Sequence, residues 1–205
     1  MPDDTAIILV IEDDVELRHS IGRLLRSVGL NTKLFGSVSE FLKSEPADGP
    51  SCLVLDVRLP GQSGLEFQRE LAAAGRELPI VFITGHGDIP MSVQAMKGGA
   101  IEFFTKPIRD QEFLDAIQLG LTRDRIRREN EGALADLRGR FASLSPRERE
   151  VMIQVARGRL SKQIAGDIGI AQATVKVHRS KAMRKMNAHS LPEFGQMAAK
   201  LNLIL

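Results

Sequence analysis

Apolar residues in the first 124 positions fall into two alternating rhythms. Short apolar runs occur at Ile7–Ile11, Thr32–Phe35, Cys52–Leu55, Ile80–Thr84 and, less purely, Ile101–Thr105. Runs this short and this continuous suit strands covered on both faces. Between them lie longer stretches with apolar residues three and four apart. Val15, Ile21, Leu24, Leu25 and Val28 trace one helical face, Leu65, Phe67 and Leu71 a second, and Met91, Val93, Ala95 and Met96 a looser third. Five strands alternating with about five helices predict an α/β doubly wound sheet of five parallel strands.

From Asp110 the pattern turns helical and highly charged. The segment Asp110–Leu119 reads as the last helix covering the sheet. Between Arg123 and Glu131 only Ile126 is apolar, too little to enter a core, so residues 125–142 read as a charged helical linker. No heptad persists there, and Gly132 and Gly139 argue against one unbroken helix. A second unit opens at Leu144-Ser145-Pro146-Arg147-Glu148, where Ser145 as N-cap, Pro146 at the first helical position and Glu148 spell a capping box. Helices are expected near 146–157, 161–168, 172–186 and 190–202, two of them closed by Gly158 and Gly169. The chain thus divides into 5–124, a linker 125–142, and a small all-α four-helix domain 143–205.

Charge sharpens this division. The chain of 205 residues carries a net charge of +2, but residues 1–124 sum to −7 and residues 125–205 to +9. An acidic half joined to a basic half suggests a regulatory or metal-binding unit tied to a nucleic-acid-binding one. No apolar run approaches the roughly 18 residues of a membrane span, and the acidic start Met1–Asp4 lacks a basic signal-peptide region. Cys52 is the single cysteine, which excludes an internal disulfide and a cysteine-rich zinc site. A reduced, cytoplasmic location is expected. Cys52 itself sits within an apolar strand, where an inert thiol is the natural reading.

Doubly wound sheets bind ligands beyond the carboxyl ends of their strands. At those ends stand Glu12, Asp13 and Asp14 after the first strand, Asp56 at the third, Thr84 at the fourth, and Lys106-Pro107 after the fifth. Turn and cap roles explain Asp13 or Asp14 singly; they do not explain the joint placement. Clustered carboxylates suit Mg²⁺, a carboxylate can accept a phosphoryl group, and a cation beside it offsets charge on the transferring oxygens.

Glu12-Asp13, Asp56, Thr84 and Lys106-Pro107, at these intervals, resemble the receiver domain of two-component response regulators, which has a flavodoxin-like fold. The resemblance covers about residues 5–124. It implies that Asp56 is the phosphoacceptor and that Glu12, Asp13 and Asp56 hold Mg²⁺. It further implies that Lys106 pairs with the acyl phosphate, Thr84 bonds the phosphoryl oxygen, Gly85 leaves access to it, and Phe103 is the switch aromatic. The Lys106–Pro107 bond is cis in such domains. Glu12 stands where many members have Asp, which lengthens one ligand arm. Arg58 and His86, two residues beyond Asp56 and Thr84, occupy positions that in this family tune the lifetime of the phosphate.

Residues 145–190 hold ten Lys and Arg against three Asp and Glu, with no Trp or Tyr anywhere for base stacking. That combination suits duplex phosphates better than single strands. Lys162 to His178 reads as helix, turn at Gly169, helix, with Ile164, Ile168, Val175 and Val177 supplying a core. Thr174, Lys176, His178, Arg179 and Lys181 would then project from the second helix. Leu144–Met152, Lys162-Gln163-Ile164-Ala165 and Thr174-Val175-Lys176-Val177-His178 resemble the LuxR-type helix-turn-helix, and the whole chain is similar to response regulators of the FixJ/NarL type. That resemblance implies DNA contacts by Lys162, Thr174, Lys176, His178, Arg179 and Lys181. It implies as partners a sensor histidine kinase, double-stranded promoter DNA and, on phosphorylation, a second copy of the chain, with RNA polymerase as a further candidate; no membrane is involved. The expected function is a transcription factor switched at Asp56, its only catalysis being its own Mg²⁺-dependent phosphorylation and dephosphorylation. Two alternatives stand beside it: a constitutive DNA-binding regulator with a degenerate receiver, and an Asp-nucleophile phosphatase. The phosphatase would need an acid where Arg58 stands.

Overall fold

A computed structural model of the chain describes residues 6–203. Met1–Asp4, and the outer ends of the two expected domains at Thr5, Ile204 and Leu205, lie outside the described residues. The chain divides into two compact units between Arg128 and Glu129.

The first unit alternates strand and helix: β1 (Ile7–Ile11), α1 (Val15–Ser27), β2 (Asn31–Phe35), α2 (Val38–Leu42), β3 (Ser51–Asp56), α3 (Gly64–Ala73), β4 (Ile80–Thr84), α4 (Ile89–Lys97) and β5 (Glu102–Thr105). The five strands form one parallel sheet in the order β2-β1-β3-β4-β5. Reversal of strand order at β1/β3 opens the crevice in which such sheets place ligands. The central strands β1, β3 and β4 are almost wholly buried, because both faces are covered. One layer packs Leu9, Leu53, Leu55 and Phe82 against Phe41, Phe67 and Leu71. The other packs Ile8, Val10, Val54, Val81 and Ile83 against Ile21, Leu25, Phe113 and Ile117. Strand alternation assigns the β5 aromatics to opposite layers: Phe103 joins the first, Phe104 the second.

Sequence periodicity places all five strands. The five-residue α2 is too short to show a helical face, and its sign is instead a local one: the Ser37 side chain accepts from Glu40 N at 3.2 Å.

The helix α5 runs unbroken over Asp110–Ala142, through both glycines that argued against continuity. A Cβ at either Gly132 or Gly139 would meet open space, so each costs helix propensity of only about 1 kcal/mol and strains nothing. The first unit extends beyond Asp124 along this helix because Arg128 still reaches back, donating to Ala47 O at 3.0 Å.

The second unit contains the C-terminal part of α5, then α6 (Pro146–Ala156), α7 (Ser161–Ile168), α8 (Gln172–Met186) and α9 (Leu191–Lys200). The capping box forms as read: Glu148 N donates to Ser145 Oγ at 3.3 Å and Ser145 N to Glu148 Oε2 at 2.8 Å. Its core divides into one cluster around Leu144, Met152, Ala182, Met186 and Phe194, and a second around Val151, Ile164 and Val175. Among the described residues no helix is long and apolar enough to cross a membrane.

Candidate phosphoacceptor site and nucleic-acid interface

The parallel register aligns the strand ends that carry chemistry. Ile11 pairs with Leu55, Asp56 with Ile83, and Thr84 with Thr105, so the residues that follow β1, β3, β4 and β5 emerge on one rim. One carboxylate oxygen from each of Glu12, Asp13 and Asp56 falls within 4.8 Å of the others. Lys106 reaches into the same space, its Nζ 2.7 Å from Asp56 Oδ2 and 2.8 Å from Glu12 Oε2. Asp56 Oδ1 accepts from Arg58 N at 2.9 Å. Thr84 is fully buried, and its Oγ1 accepts from His86 N at 3.3 Å. The Lys106–Pro107 bond is cis.

Burial sets the electrostatics. Glu12 and Asp56 are only 1% and 5% exposed, whereas Asp13 faces solvent. Burial and the neighbouring Asp56 charge push the Glu12 carboxyl up to about 7, against the pull of the Lys106 hydrogen bond. Burial alone would lower the Lys106 ammonium, yet its bonds to Asp56 and Glu12 outweigh that and raise it. Two buried carboxylates share one ammonium, a set short of positive charge. A hard divalent cation with oxygen preference fits that deficit, and the three carboxylates are the donors it takes. Glu12, Asp13 and Asp56 therefore fit Mg²⁺.

Small residues keep the rim open. A Cβ at Gly85 would meet nothing within 4 Å, so the space beside it is open. Two further glycines, which periodicity cannot reveal, prove to be steric requirements. A Cβ at Gly87 would lie 2.8 Å from Phe103 Cε1, so the half-buried Phe103 ring packs directly on the loop after β4. A Cβ at Gly64 would run into the Asp56 carbonyl oxygen, where Gly64 N donates to Val57 O at 2.9 Å. Gly64→Ala should therefore destabilise the fold by about 2 kcal/mol, as overpacking does, and slow phosphoryl incorporation by displacing β3; thermal unfolding and intact-mass kinetics on one variant check both.

In the second unit, α7 ends at Gly169 with φ +68°, a left-handed cap that glycine adopts without strain. Ile164 and Val175 are fully buried across this turn. Val177, expected in the core, is instead 50% exposed: two residues beyond Val175 is 200° around the helix, away from α7. Of the residues expected to contact DNA, Lys162, Thr174, Lys176 and Lys181 are exposed. His178 and Arg179 are half-buried, turned toward the side that carries Val175 and Ala182. Arg179 donates to Ser161 Oγ at 3.5 Å. Glu148 anchors the far end of α8: Lys185 Nζ lies 2.7 Å from its Oε2 and also donates to Ser143 O at 3.1 Å. The Lys185 bond holds the Glu148 carboxyl below the usual range, with help from the Ser145 N–H. This link joins α8 to the capping box of α6; only the capping box was visible in sequence.

Comparison with known proteins agrees with both units. The family model described as "Response regulator receiver domain" matches residues 8–118, and that described as "Bacterial regulatory proteins, luxR family" matches residues 142–198. Nodulation protein W of Bradyrhizobium diazoefficiens is 52% identical over 198 residues, covering 97% of this chain and 87% of that protein. Transcriptional regulatory protein FixJ of Azorhizobium caulinodans is 42% identical over 189 residues, covering 92% and 90%. Among solved structures, the response regulator StyR is similar at a TM-score of 0.85 with 45% identity, covering 96% of this chain and 99% of that one.

Proposed function

The chain belongs to the response regulators that join a receiver domain to a LuxR-type DNA-binding domain, and from that premise we propose that it is a transcription factor switched by phosphorylation of Asp56. The observation that carries this reading is the Asp56 carboxylate, buried at a strand end between the Lys106 ammonium and the Glu12–Asp13 pair. A carboxylate in that setting is a nucleophile toward phosphorus with cations ready for the incoming charge.

A sensor histidine kinase presents a phosphohistidine. An Asp56 carboxylate oxygen attacks its phosphorus, the P–N bond breaks as the O–P bond forms, and the imidazole, already protonated on its other nitrogen, takes the P–N electron pair and leaves neutral. Glu12, Asp13 and Asp56 would hold Mg²⁺, which would supply a Lewis acid for the phosphoryl oxygens. Lys106 releases its bond to the Asp56 carboxylate and pairs with the acyl phosphate. Thr84 Oγ donates to a phosphoryl oxygen, and Phe103, packed on the same loop through Gly87, responds to that movement. Gly85 leaves the path open, and Pro107 closes the turn that aims Lys106. Arg58 and His86, flanking Asp56 and Thr84 on the exposed rim, tune how long the phosphate lasts. As Arg58 cannot serve as a general acid, hydrolysis of a separate substrate has no proton donor there, and self-dephosphorylation is the only turnover.

Phosphorylation favours a dimer through a surface that includes α4, β5 and the start of α5, where Ile89, Val93, Met96 and Leu119 are apolar and exposed. Dimerisation sets two helix-turn-helix units on paired half-sites of promoter DNA, in the cytoplasm where that DNA and RNA polymerase lie. Lys162, Thr174, Lys176 and Lys181 face the DNA, with His178 and Arg179 at the edge of the interface. The first helix of such motifs crosses the backbone, so Lys162→Ala should weaken binding to specific and random duplexes alike and reduce the log K against log salt slope by about 0.9. Fluorescence anisotropy with a labelled duplex at several salt concentrations measures it.

Incubation of the full chain with Mg²⁺ and a small acyl-phosphate donor tests the central reading. One phosphoryl group per chain by intact mass, with a doubling of mass by light scattering, is expected. No incorporation with DNA binding intact would overturn it in favour of a constitutive regulator.

A further inference from the structure

Two of the three acidic side chains at the rim stand on a short loop between β1 and α1, and something must hold that loop's peptide units in place. Glu12 N is engaged by Phe35 O at 3.1 Å, and Asp14 caps α1, its Oδ1 accepting from Glu16 N at 2.9 Å and Leu17 N at 3.0 Å. The carbonyls of Glu12 and Asp13 point the other way. Both are met by a single group: Nη1 of Arg18, one turn into α1, donates to Glu12 O and, at 3.2 Å, to Asp13 O. Arg18 is half-buried. Its guanidinium sits beside Gly36 at the end of β2, close enough that a Cβ there would lie 3.4 Å from Nη1. Glu40, whose Oε2 accepts from Gly36 N at 2.6 Å, lines the same spot.

We propose that Arg18 is a positioning residue for the cation site: by gripping the Glu12 and Asp13 carbonyls it orients both carboxylates toward Asp56. The proposal rests on the reading that Glu12, Asp13 and Asp56 hold Mg²⁺. A rigid planar donor suits the task, since one guanidinium nitrogen spans two successive carbonyls while the remaining donors stay free to fix its own orientation. Simple electrostatics predicts the reverse effect. A cation beside a divalent ion repels it, so loss of Arg18 by charge alone would tighten Mg²⁺ binding. Positioning predicts that the same loss weakens binding, because the carboxylates must then be ordered at the moment the ion arrives. Partners behind metal ligands commonly govern affinity by 10–100-fold, far more than a solvent-screened charge does. The sign of the change therefore separates the two accounts.

The test is calorimetric Mg²⁺ titration of the full chain together with phosphoryl incorporation measured across Mg²⁺ concentration. Arg18→Gln should raise the Mg²⁺ dissociation constant and the half-saturating Mg²⁺ by about tenfold. Incorporation at saturating Mg²⁺ should stay within about twofold of wild type, since ordering lost before binding is recovered once the ion is in place. Arg18→Lys, whose ammonium preserves charge but not the planar fork, should fall between the two. If Arg18→Gln fails to fold, Arg18→Lys alone decides, because charge retention predicts no change and positioning predicts a loss. Arg23→Gln, exposed on the same helix, should match wild type. Tighter or unchanged Mg²⁺ binding in the Arg18 variants, or a lower saturating rate at unchanged affinity, would overturn the proposal. A wild-type chain that takes no Mg²⁺ would remove the metal reading itself, a separate failure visible before any variant is made.

Discussion

Asp56→Asn should abolish phosphoryl incorporation while leaving the protein folded. The amide oxygen is isosteric with the carboxylate oxygen but carries no negative charge, so the attack on phosphorus is lost outright and no neighbour can replace it. Glu12 is the nearest other carboxylate to Lys106, but its carboxyl is already pushed up to about 7 by burial and follows a different strand. Lys106 keeps its 2.8 Å partner in Glu12, so the thermal midpoint should move by no more than a few degrees, about 1 kcal/mol for a unit of this size. The substitution also removes the Asp56 charge that helps raise Glu12, and the Glu12 carboxyl should fall toward its ordinary value, which an NMR titration reads directly. Residual incorporation at Glu12 or Asp13, mapped by peptide mass, would show that the site is less selective than its geometry implies.

The second large effect is on stability, at Asp124. This carboxylate is fully buried. It accepts from Ser51 N at 2.8 Å and pairs with Arg127 at 2.7 Å and Arg128 at 2.8 Å. Arg128 continues to Ala47 O, so one side chain ties the middle of the long helix to the start of β3, the strand whose other end is Asp56. Asp124→Ala strands the Ser51 N–H and takes one ion-pair partner from each of Arg127 and Arg128. Because both arginines are partly exposed and can turn to solvent, the cost should be about 2–3 kcal/mol, below the full penalty of breaking a buried pair. Circular-dichroism melts would show a fall of roughly 6–10 °C.

The pH dependence at this site has a definite sign. Burial raises the Asp124 carboxyl, but hydrogen bonds from Arg128 and Arg127 outweigh it and hold the group below its ordinary 3.8. A group depressed in the folded state contributes stability that is present above its unfolded value and lost as pH falls through the folded one. The gap between wild type and Asp124→Ala should therefore be constant from about pH 5 to 8 and close as pH drops below about 4. A gap under about 0.5 kcal/mol at neutral pH, the scatter of ordinary surface substitutions, would show the clasp to be inconsequential.

Strands were legible because their covering on both faces leaves a continuous apolar run, and helix starts because Ser145, Pro146 and Glu148 are a local code. The acidic rim was legible because a parallel register sends every strand's carboxyl end the same way. Rotation about α8 was less so: Val177 alternates with Val175 as a strand residue would, and only packing against α7 shows which of them is inside. The continuity of α5 through Gly132 and Gly139 was hidden for the opposite reason, since propensity is a small local penalty that neighbouring turns and packing override.

Local chemistry and periodicity thus suffice for the element sequence, the family likeness and the set of residues on the rim. They do not yield the pairings that hold those residues and their strands in place: Lys106 with Glu12 and Asp56, Arg18 with two carbonyls, Gly64 with the Asp56 main chain, and Asp124 with Ser51 and Arg128. Lys106 and Glu12 stand 94 positions apart, and Asp124 and Ser51 stand 73 apart. Over such separations a contact is set by sheet register and by which atoms remain unpaired once the layers close, quantities that exist only after the chain has folded.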